Sequence, residues 1–364
     1  MPQYDFLVAG AGLFGATFAQ QAAERGKKVL VIEKRPHIAG NCHTEILEGI
    51  VMHKYGPHIF HTSNSNVWNY VNRFARFNQF INRPKVMYKD KIYSFPINLM
   101  TMYQLWGVKT PAEAKRRLRE VAIPSRDARN LEEWILSQVG QEIYEIFIKG
   151  YTKKQWGRDP TQLPPSIIKR IPIRLSFDDN YYDDKYQGIP AGGYTRALQK
   201  MLEGIDVSLN TDYFSRKQYW DAMASMVLYT GRVDELFDYK FGQLEYRSLR
   251  FETKVLDGTL QGNAVINYTA EDVPYTRVVE HKFFEFKDQP KTVVTWEYPD
   301  AYGVNKLPCY PINDARNNAL YKRYADEAAK HQHMLLGGRL GTYRYLDMDD
   351  AILEALQLVD DLVS

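Results

Sequence analysis

The chain has 364 residues, with 45% hydrophobic and 25% charged side chains, which excludes disordered, fibrous and disulfide-stapled classes and sets an expectation of two or three domains. Forty-seven basic against 44 acidic residues leave a net charge of only +3, so no global field draws the protein onto nucleic acid or a membrane, and any bound anion is held locally. The two cysteines, Cys42 and Cys309, match no metal or disulfide spacing. With no apolar run near the ~18 residues of a membrane span and no basic leader-like start, a soluble cytoplasmic protein without membrane insertion is expected.

The predicted elements begin with a short apolar strand, residues 4–9, then Gly10-Ala11-Gly12-Leu13-Phe14-Gly15, a helical pattern to Arg25, a second strand at 29–32, and Glu33. This is the order and spacing of a dinucleotide-binding βαβ unit. Gly10 permits the tight turn, Gly12 admits a pyrophosphate close to the backbone, and Gly15 lets helix and strand pack; the phosphates sit at the helix N-terminus and Glu33 accepts from ribose hydroxyls. The turn-rich loop after Glu33 favours FAD over NAD. Residues 55–62 add a glycine-proline turn with His58 and His61, imidazoles that suit a flavin edge or an ordinary hydrogen-bonded core pair better than a zinc site, for which no partner has motif spacing.

Further along, residues 86–93 read as a hairpin and 99–163 as helical, with Pro111 opening a charged helix. Lys149–Gly157, Arg170 and Asp179–Tyr182 concentrate cations and rings. Residues 207–210 and 226–231 read as strands returning to the parallel sheet, and 237–298 as β-rich. A late strand at 334–336 runs into a glycine turn, with Arg339 and Tyr343-Arg344-Tyr345, and a helix at about 349–362, with Asp347 to Asp350 suited to capping it. Arg170, Arg277 and Arg339 are the guanidinium forks matched to phosphate oxygens. The expected fold is α/β: an FAD-binding Rossmann-like domain (1–79, 205–236, 331–364), a helical insert (99–165) and an antiparallel β-sheet insert (80–98, 166–204, 237–330). No serine elbow, HExxH or second GxGxxG appears, so a bound cofactor carries the hard chemistry.

GAGLFG at 10–15, YGPHIFHT at 55–62, NRPK at 82–85, KGYTKKQWG at 149–157, VPYTR at 273–277, YPIN at 310–313 and GRLGTYRYLDMD at 338–349 closely resemble the bacterial UDP-galactopyranose mutases, nearly end to end. The resemblance implies a cytoplasmic homodimer holding non-covalent FAD, active when reduced. It implies interconversion of UDP-galactopyranose and UDP-galactofuranose: flavin N5 attacks the anomeric carbon, UDP is expelled, and the ring opens through an iminium and recloses, with no net redox. By motif, His61, Arg170 and Arg277 are the catalytic set, with Arg170 on a mobile lid and both arginines on the diphosphate. Tyr181, Tyr310 and Tyr345 donate to that diphosphate. Phe147, Tyr151, Thr152, Gln155 and Trp156 line the uridine side, and Asn82 and Asn267 the sugar. Gly10, Gly12, Gly15 and Glu33 serve the adenosine half of FAD, and Phe14, Lys34 and Asn41 also contact FAD. His58, His61, Arg247, Arg339 and Asp347 lie against the flavin, and Ile59, Tyr345 and Met348 also contact FAD. Three positions depart from the family pattern: Ile148 where a second aromatic is usual, Ala39 for a glycine, which fits if its backbone is not left-handed, and Arg232 for a proline. UDP-N-acetylgalactosamine is a further substrate that similar enzymes accept. The rival reading is an FAD oxidoreductase of the amine-oxidase type; a flavin-bound scaffold would not need the clustered arginines and tyrosines.

Overall fold

A computed structural model describes residues 2–169, 171–303 and 306–363. Two sheets organise it. The first is parallel and five-stranded, in the order Met334–Leu336, Ala224–Tyr229, Tyr4–Ala9, Val29–Ile32, Asp206–Ser208. Its central strands are near-continuous apolar runs because both faces are covered. On one face the helices Leu13–Glu24 and Met348–Leu362 pack through Phe14, Phe18, Ala22, Ile352, Ala355 and Val359. On the other, Tyr213 and Leu236 close over Leu7, Ile32 and Val227. Each such apolar side chain, fully buried, contributes roughly 1.5–3 kcal/mol. The glycine turn behaves as expected: a Cβ on Gly15 would lie 2.1 Å from Gly10 O, so the first helix meets the first strand at a separation only glycine allows.

The second sheet has seven strands in the order Tyr310–Pro311, Tyr246–Asp257, Lys291–Ala301, Arg277–Glu280, Val265–Tyr268, Lys85–Tyr88, Lys91–Ser94. It is mixed rather than purely antiparallel. Val265–Tyr268 and Lys85–Tyr88 run parallel, joined not by a hairpin but by a long path through the helices and the first sheet. Residues 194–202, grouped by the sequence with this sheet, form the helix Tyr194–Met201 and join the core of the first sheet through Tyr194, Leu198 and Met201.

The helices Leu99–Trp106, Pro111–Val121 and Leu131–Ile143 pack on the seven-stranded sheet through Leu99, Met102, Leu131, Ile135 and Val139 against Val86 and Tyr93. Pro111 sits in the first turn after Thr110, whose hydroxyl and Glu113 form a capping box. A π-helical turn, Tyr144–Lys149, then leads into Gly150–Trp156. Among the described residues no helix is long and apolar enough to cross a membrane.

Ala39 contradicts the condition set for it. Its φ is 74°, left-handed, and its amide donates to Ala11 O at 2.8 Å, so the loop after Glu33 is held against the glycine turn at the cost of a strained L-residue.

Candidate active site

The first half of the site is the turn at 10–15. Gly12 is the N-cap of Leu13–Glu24 and no side chain caps that helix, so its first-turn amides present a positive end. A Cβ on Gly12 would meet nothing closer than Gly40 Cα at 3.9 Å, so no protein contact requires glycine there; the space it leaves is a cradle for a phosphate. Glu33, buried, is aimed by two amides, Ala11 N at 3.0 Å and Arg35 N at 2.9 Å, and keeps further lone pairs for a ribose. Phe14 packs under the second glycine turn, 2.3 Å from where a Gly337 Cβ would stand, and so joins the two turns. Lys34 is exposed. These residues fit the adenosine diphosphate half of a dinucleotide.

From this turn the chain opens into a cavity of about 410 Å³ between the two sheets and the helices. The fold brings to it most of the residues selected from sequence: Asn41, His58, Ile59, His61 and Asn82 from the first third; Phe147, Tyr151, Thr152, Gln155 and Trp156 from the helical region; Tyr181 from the loop that follows it; Asn267, Arg277 and Tyr310 from the sheet; and Arg339, Tyr345, Asp347 and Met348 from the closing segment. Arg170 lies outside the described residues.

The cationic centre is Arg277, at the start of its strand. Its Nη2 donates to Tyr151 Oη at 2.9 Å, and its Nε lies 3.1 Å from Glu297 Oε2 without the alignment of a hydrogen bond. Glu297 is buried directly opposite it in the sheet, which aligns residues 277 and 297. Burial pushes the Glu297 carboxyl up, offset by Arg277; burial opposes the Arg277 charge, but the Glu297 carboxylate more than restores it. Glu297 Oε1 has no hydrogen-bond partner, and a Cβ on Gly56, at φ +93°, would stand 2.8 Å from it. Beside this pair the rings of Tyr310 and Tyr345 stack, centroids 5.6 Å apart, with the Arg339 guanidinium over both. Arg339 is fixed by Cys309 O and Leu346 O. Burial pushes the Tyr310 phenol up, so it stays a donor.

At one end, the π-turn carries Phe147 and Ile148, both buried, into the wall, where Phe147 meets Phe95 in a stack and Tyr93 edge-on. Thr152 and Gln155 add buried polar groups one and two turns on. At the other end, His58 Nδ1 faces Gly56 O at 2.9 Å, so its proton sits on Nδ1 and Nε2 is left as an acceptor. Burial lowers its pKa to about 4, so the ring is neutral. His61 Nδ1 lies 2.7 Å from Asp184 Oδ2, Ser63 Oγ donates to Asp184 Oδ1 at 2.7 Å, and the His61 ring stacks on Tyr182 at 3.7 Å. Asp347 occupies the N-cap of the last helix but makes no capping hydrogen bond; it lines the cavity instead.

Arg247 departs from its expected place. It does not line the cavity; its Nε and Nη2 donate to Gln155 O and Lys154 O and thereby hold the end of Gly150–Trp156. Sequence reasoning missed Asp184 and Glu297, and it held Lys154 within the cationic segment Lys149–Gly157 without giving it a role of its own. Glu297 was findable as an acid on the inward face of an alternating strand; Asp184 carried no local signal.

A family profile for UDP-galactopyranose mutase matches residues 146–345, and one for an NAD(P)-binding Rossmann-like domain matches 8–74. The chain is 41% identical to the "Probable UDP-galactopyranose mutase" of Klebsiella pneumoniae over 100% of its length and 96% of that relative's. It is 39% identical to the dTDP-fucopyranose mutase of Escherichia coli, over 96% of each, and 33% to the UDP-galactopyranose mutase of Mycoplasma genitalium, over 99% and 95%. Among solved structures, a reduced UDP-galactopyranose mutase superposes with a TM-score of 0.75 at 15% identity, covering 100% of this chain and 94% of the other. A putrescine oxidase superposes at 0.61 and 13%, covering 100% and 99%, which places the rival oxidase in the same fold. By full-length identity and profile, the chain belongs to the UDP-galactopyranose mutase family.

Proposed function

We propose that the protein is a flavin-dependent mutase that interconverts the pyranose and furanose forms of a nucleoside-diphosphate sugar, UDP-galactose. The observation that carries the reading is one cavity in which Arg277, Tyr151 and the Tyr310–Tyr345 stack converge beside residues that fit FAD. Bound and reduced, a flavin supplies the nucleophile for the anomeric carbon. The chain does the rest. Arg277 and the phenols hold the diphosphate before and after it leaves the sugar, each charge-assisted bond contributing roughly 1.5–3 kcal/mol. Asn82 and Asn267 contact the sugar, and the neutral His58 and Asp184-oriented His61 accept from donor groups at the flavin end. FAD held without a covalent bond and a cytoplasmic homodimer complete the reading.

Chromatography of the sugar nucleotide tests it. Dithionite-reduced protein is expected to convert UDP-galactofuranose to the pyranose while the oxidised protein is nearly inert; equal turnover in both states sinks the flavin role. Arg277→Ala should lose activity by about 10–100-fold or more and keep its yellow colour. The relative named for dTDP-fucopyranose, nearly as similar as the first, favours a second reading in which a dTDP 6-deoxysugar is the substrate. Parallel assays with dTDP-fucofuranose and UDP-N-acetylgalactosamine decide between them, and amine oxidation without mutase turnover would favour the oxidase.

A further inference from the structure

Lys154 sits in the helix Gly150–Trp156, next to the cavity, yet its side chain points away from solvent into the loop 268–276. Its Nζ is within hydrogen-bond distance of four backbone carbonyls: Tyr268 O and Ala270 O at 2.8 Å, Val273 O and Tyr275 O at 3.0 Å. An ammonium has three protons, so four oxygens around it form a cage shared among them, at the spacing with which carbonyl rings replace a monovalent cation's hydration shell. All four acceptors belong to one loop, whose ends are the strands carrying Asn267 and Arg277. The loop turns its carbonyls inward around the charge, and without a cation there those four oxygens would face one another.

We propose that Lys154 is a positioning residue whose ammonium organises the loop 268–276 and so sets the register between the helix carrying Tyr151 and Gln155 and the strand carrying Arg277. The Arg277–Tyr151 hydrogen bond at 2.9 Å crosses that seam inside the cavity. Other fastenings act on the same seam from the sides. Thr269 Oγ1 donates to Ile146 O, and a Cβ on Gly150 would overlap Thr269 O at 2.2 Å, so helix and loop touch backbone to backbone. Arg247 grips the Lys154 carbonyl from behind, so the residue is fixed at both ends. The neighbouring Lys153 pairs with Glu271 at the surface and is only half-buried, a weak contact by comparison.

The inference rests on the cavity binding a nucleoside diphosphate, and its test keeps the two separate. UDP affinity is measured by calorimetry on the FAD-loaded protein, with amide hydrogen exchange over 268–276. Lys154→Met, which keeps the methylene packing without the charge, and Lys154→Ala are expected to bind UDP about 10–100-fold more weakly, the usual cost of losing a group that orients a binding side chain. Both should lose exchange protection in 268–276, and Lys153→Ala should do neither. Ammonium or methylammonium should restore much of the affinity of Lys154→Ala, whereas tetramethylammonium, too large and without N–H donors, should not. UDP affinity in both Lys154 variants equal to the parent's overturns the proposal, as does a loss that small cations leave untouched while exchange in 268–276 is unchanged. If the parent itself fails to bind UDP, the nucleotide reading fails, and exchange in 268–276 with ammonium rescue alone decides the clamp.

Discussion

At the scale of single residues, the glycine turn divides into positions the fold requires and positions a ligand requires. Gly15→Ala drives a methyl into Gly10 O and should destabilise the flavin-free protein by about 1–3 kcal/mol or more. Gly12 has an ordinary extended backbone, φ −75° and ψ −178°, and open space for a Cβ. Gly12→Ala should leave urea unfolding of the flavin-free protein within ~0.5 kcal/mol and abolish flavin uptake, since the methyl occupies the phosphate's place. Retained flavin affinity in Gly12→Ala would remove the basis for siting the diphosphate there. Ala39 is the opposite case, a residue whose backbone calls for glycine. The left-handed conformation costs an L-residue about 1–2 kcal/mol, and glycine's freer unfolded chain returns ~0.4–1 of it, so Ala39→Gly should raise stability by about 0.5–1 kcal/mol in urea. The glycine pattern was legible because three spaced glycines before a helix have few uses. The conformation of Ala39 was not, because it follows from a hydrogen bond to Ala11 across the turn rather than from its neighbours in sequence.

At the scale of elements, the helical wall depends on a feature that apolar periodicity does not reveal. A π-turn differs from an α-turn by one residue, and the spacing of apolar residues in 131–156 reads as ordinary helix through it. Gly140, at φ +75° and against Val121 O, already breaks the helix before the π-turn begins. The extra residue in Tyr144–Lys149 turns Phe147 and Ile148 toward the cavity while Leu131–Ile143 stays in its own core. Deleting Glu145, exposed on that turn, should let it relax to α-helix with both flanks kept in place, withdrawing the bulge that carries Phe147 and Ile148 into the cavity wall. The expected outcome is unchanged far-UV circular dichroism with UDP affinity reduced at least about tenfold. Affinity equal to the parent's would show that the π-turn does not aim the wall. The same limit explains the sheet. Strand existence was readable from β-branched runs, but the parallel pairing of 265–268 with 85–88 was not, because it joins segments separated by the whole helical region.

At the scale of the whole molecule, buried histidines tie the loop at 53–58 to the seven-stranded sheet and should make the fold sensitive to acid. His58 N donates to His53 Nδ1 at 3.0 Å, His53 N to His281 Nδ1 at 3.3 Å, and His281 Nε2 to Thr295 Oγ1 at 2.9 Å. Both acceptor nitrogens must stay unprotonated for this ladder to stand, and His53 Nε2 has no hydrogen-bond partner. Burial lowers His281 to about 3, His58 to about 4 and His53 well below its ordinary value. The sign follows from the depressed folded values: above about pH 6.5 neither state binds these protons and the full stabilisation is present. As pH falls from 6.5 toward 4 the unfolded chain takes up protons that the folded chain refuses, and stability is lost. Three such groups give a slope approaching ~4 kcal/mol per pH unit near pH 5, steep against a total stability of about 5–15 kcal/mol. Acid unfolding should therefore centre between pH 6 and 4, followed by circular dichroism, and His281→Gln, which supplies an acceptor that does not titrate in this range, should shift the midpoint downward. A midpoint unmoved by that substitution, or unfolding only below pH 3, beneath the range in which the unfolded histidines take up their protons, would show that the ladder does not couple the two halves of the molecule.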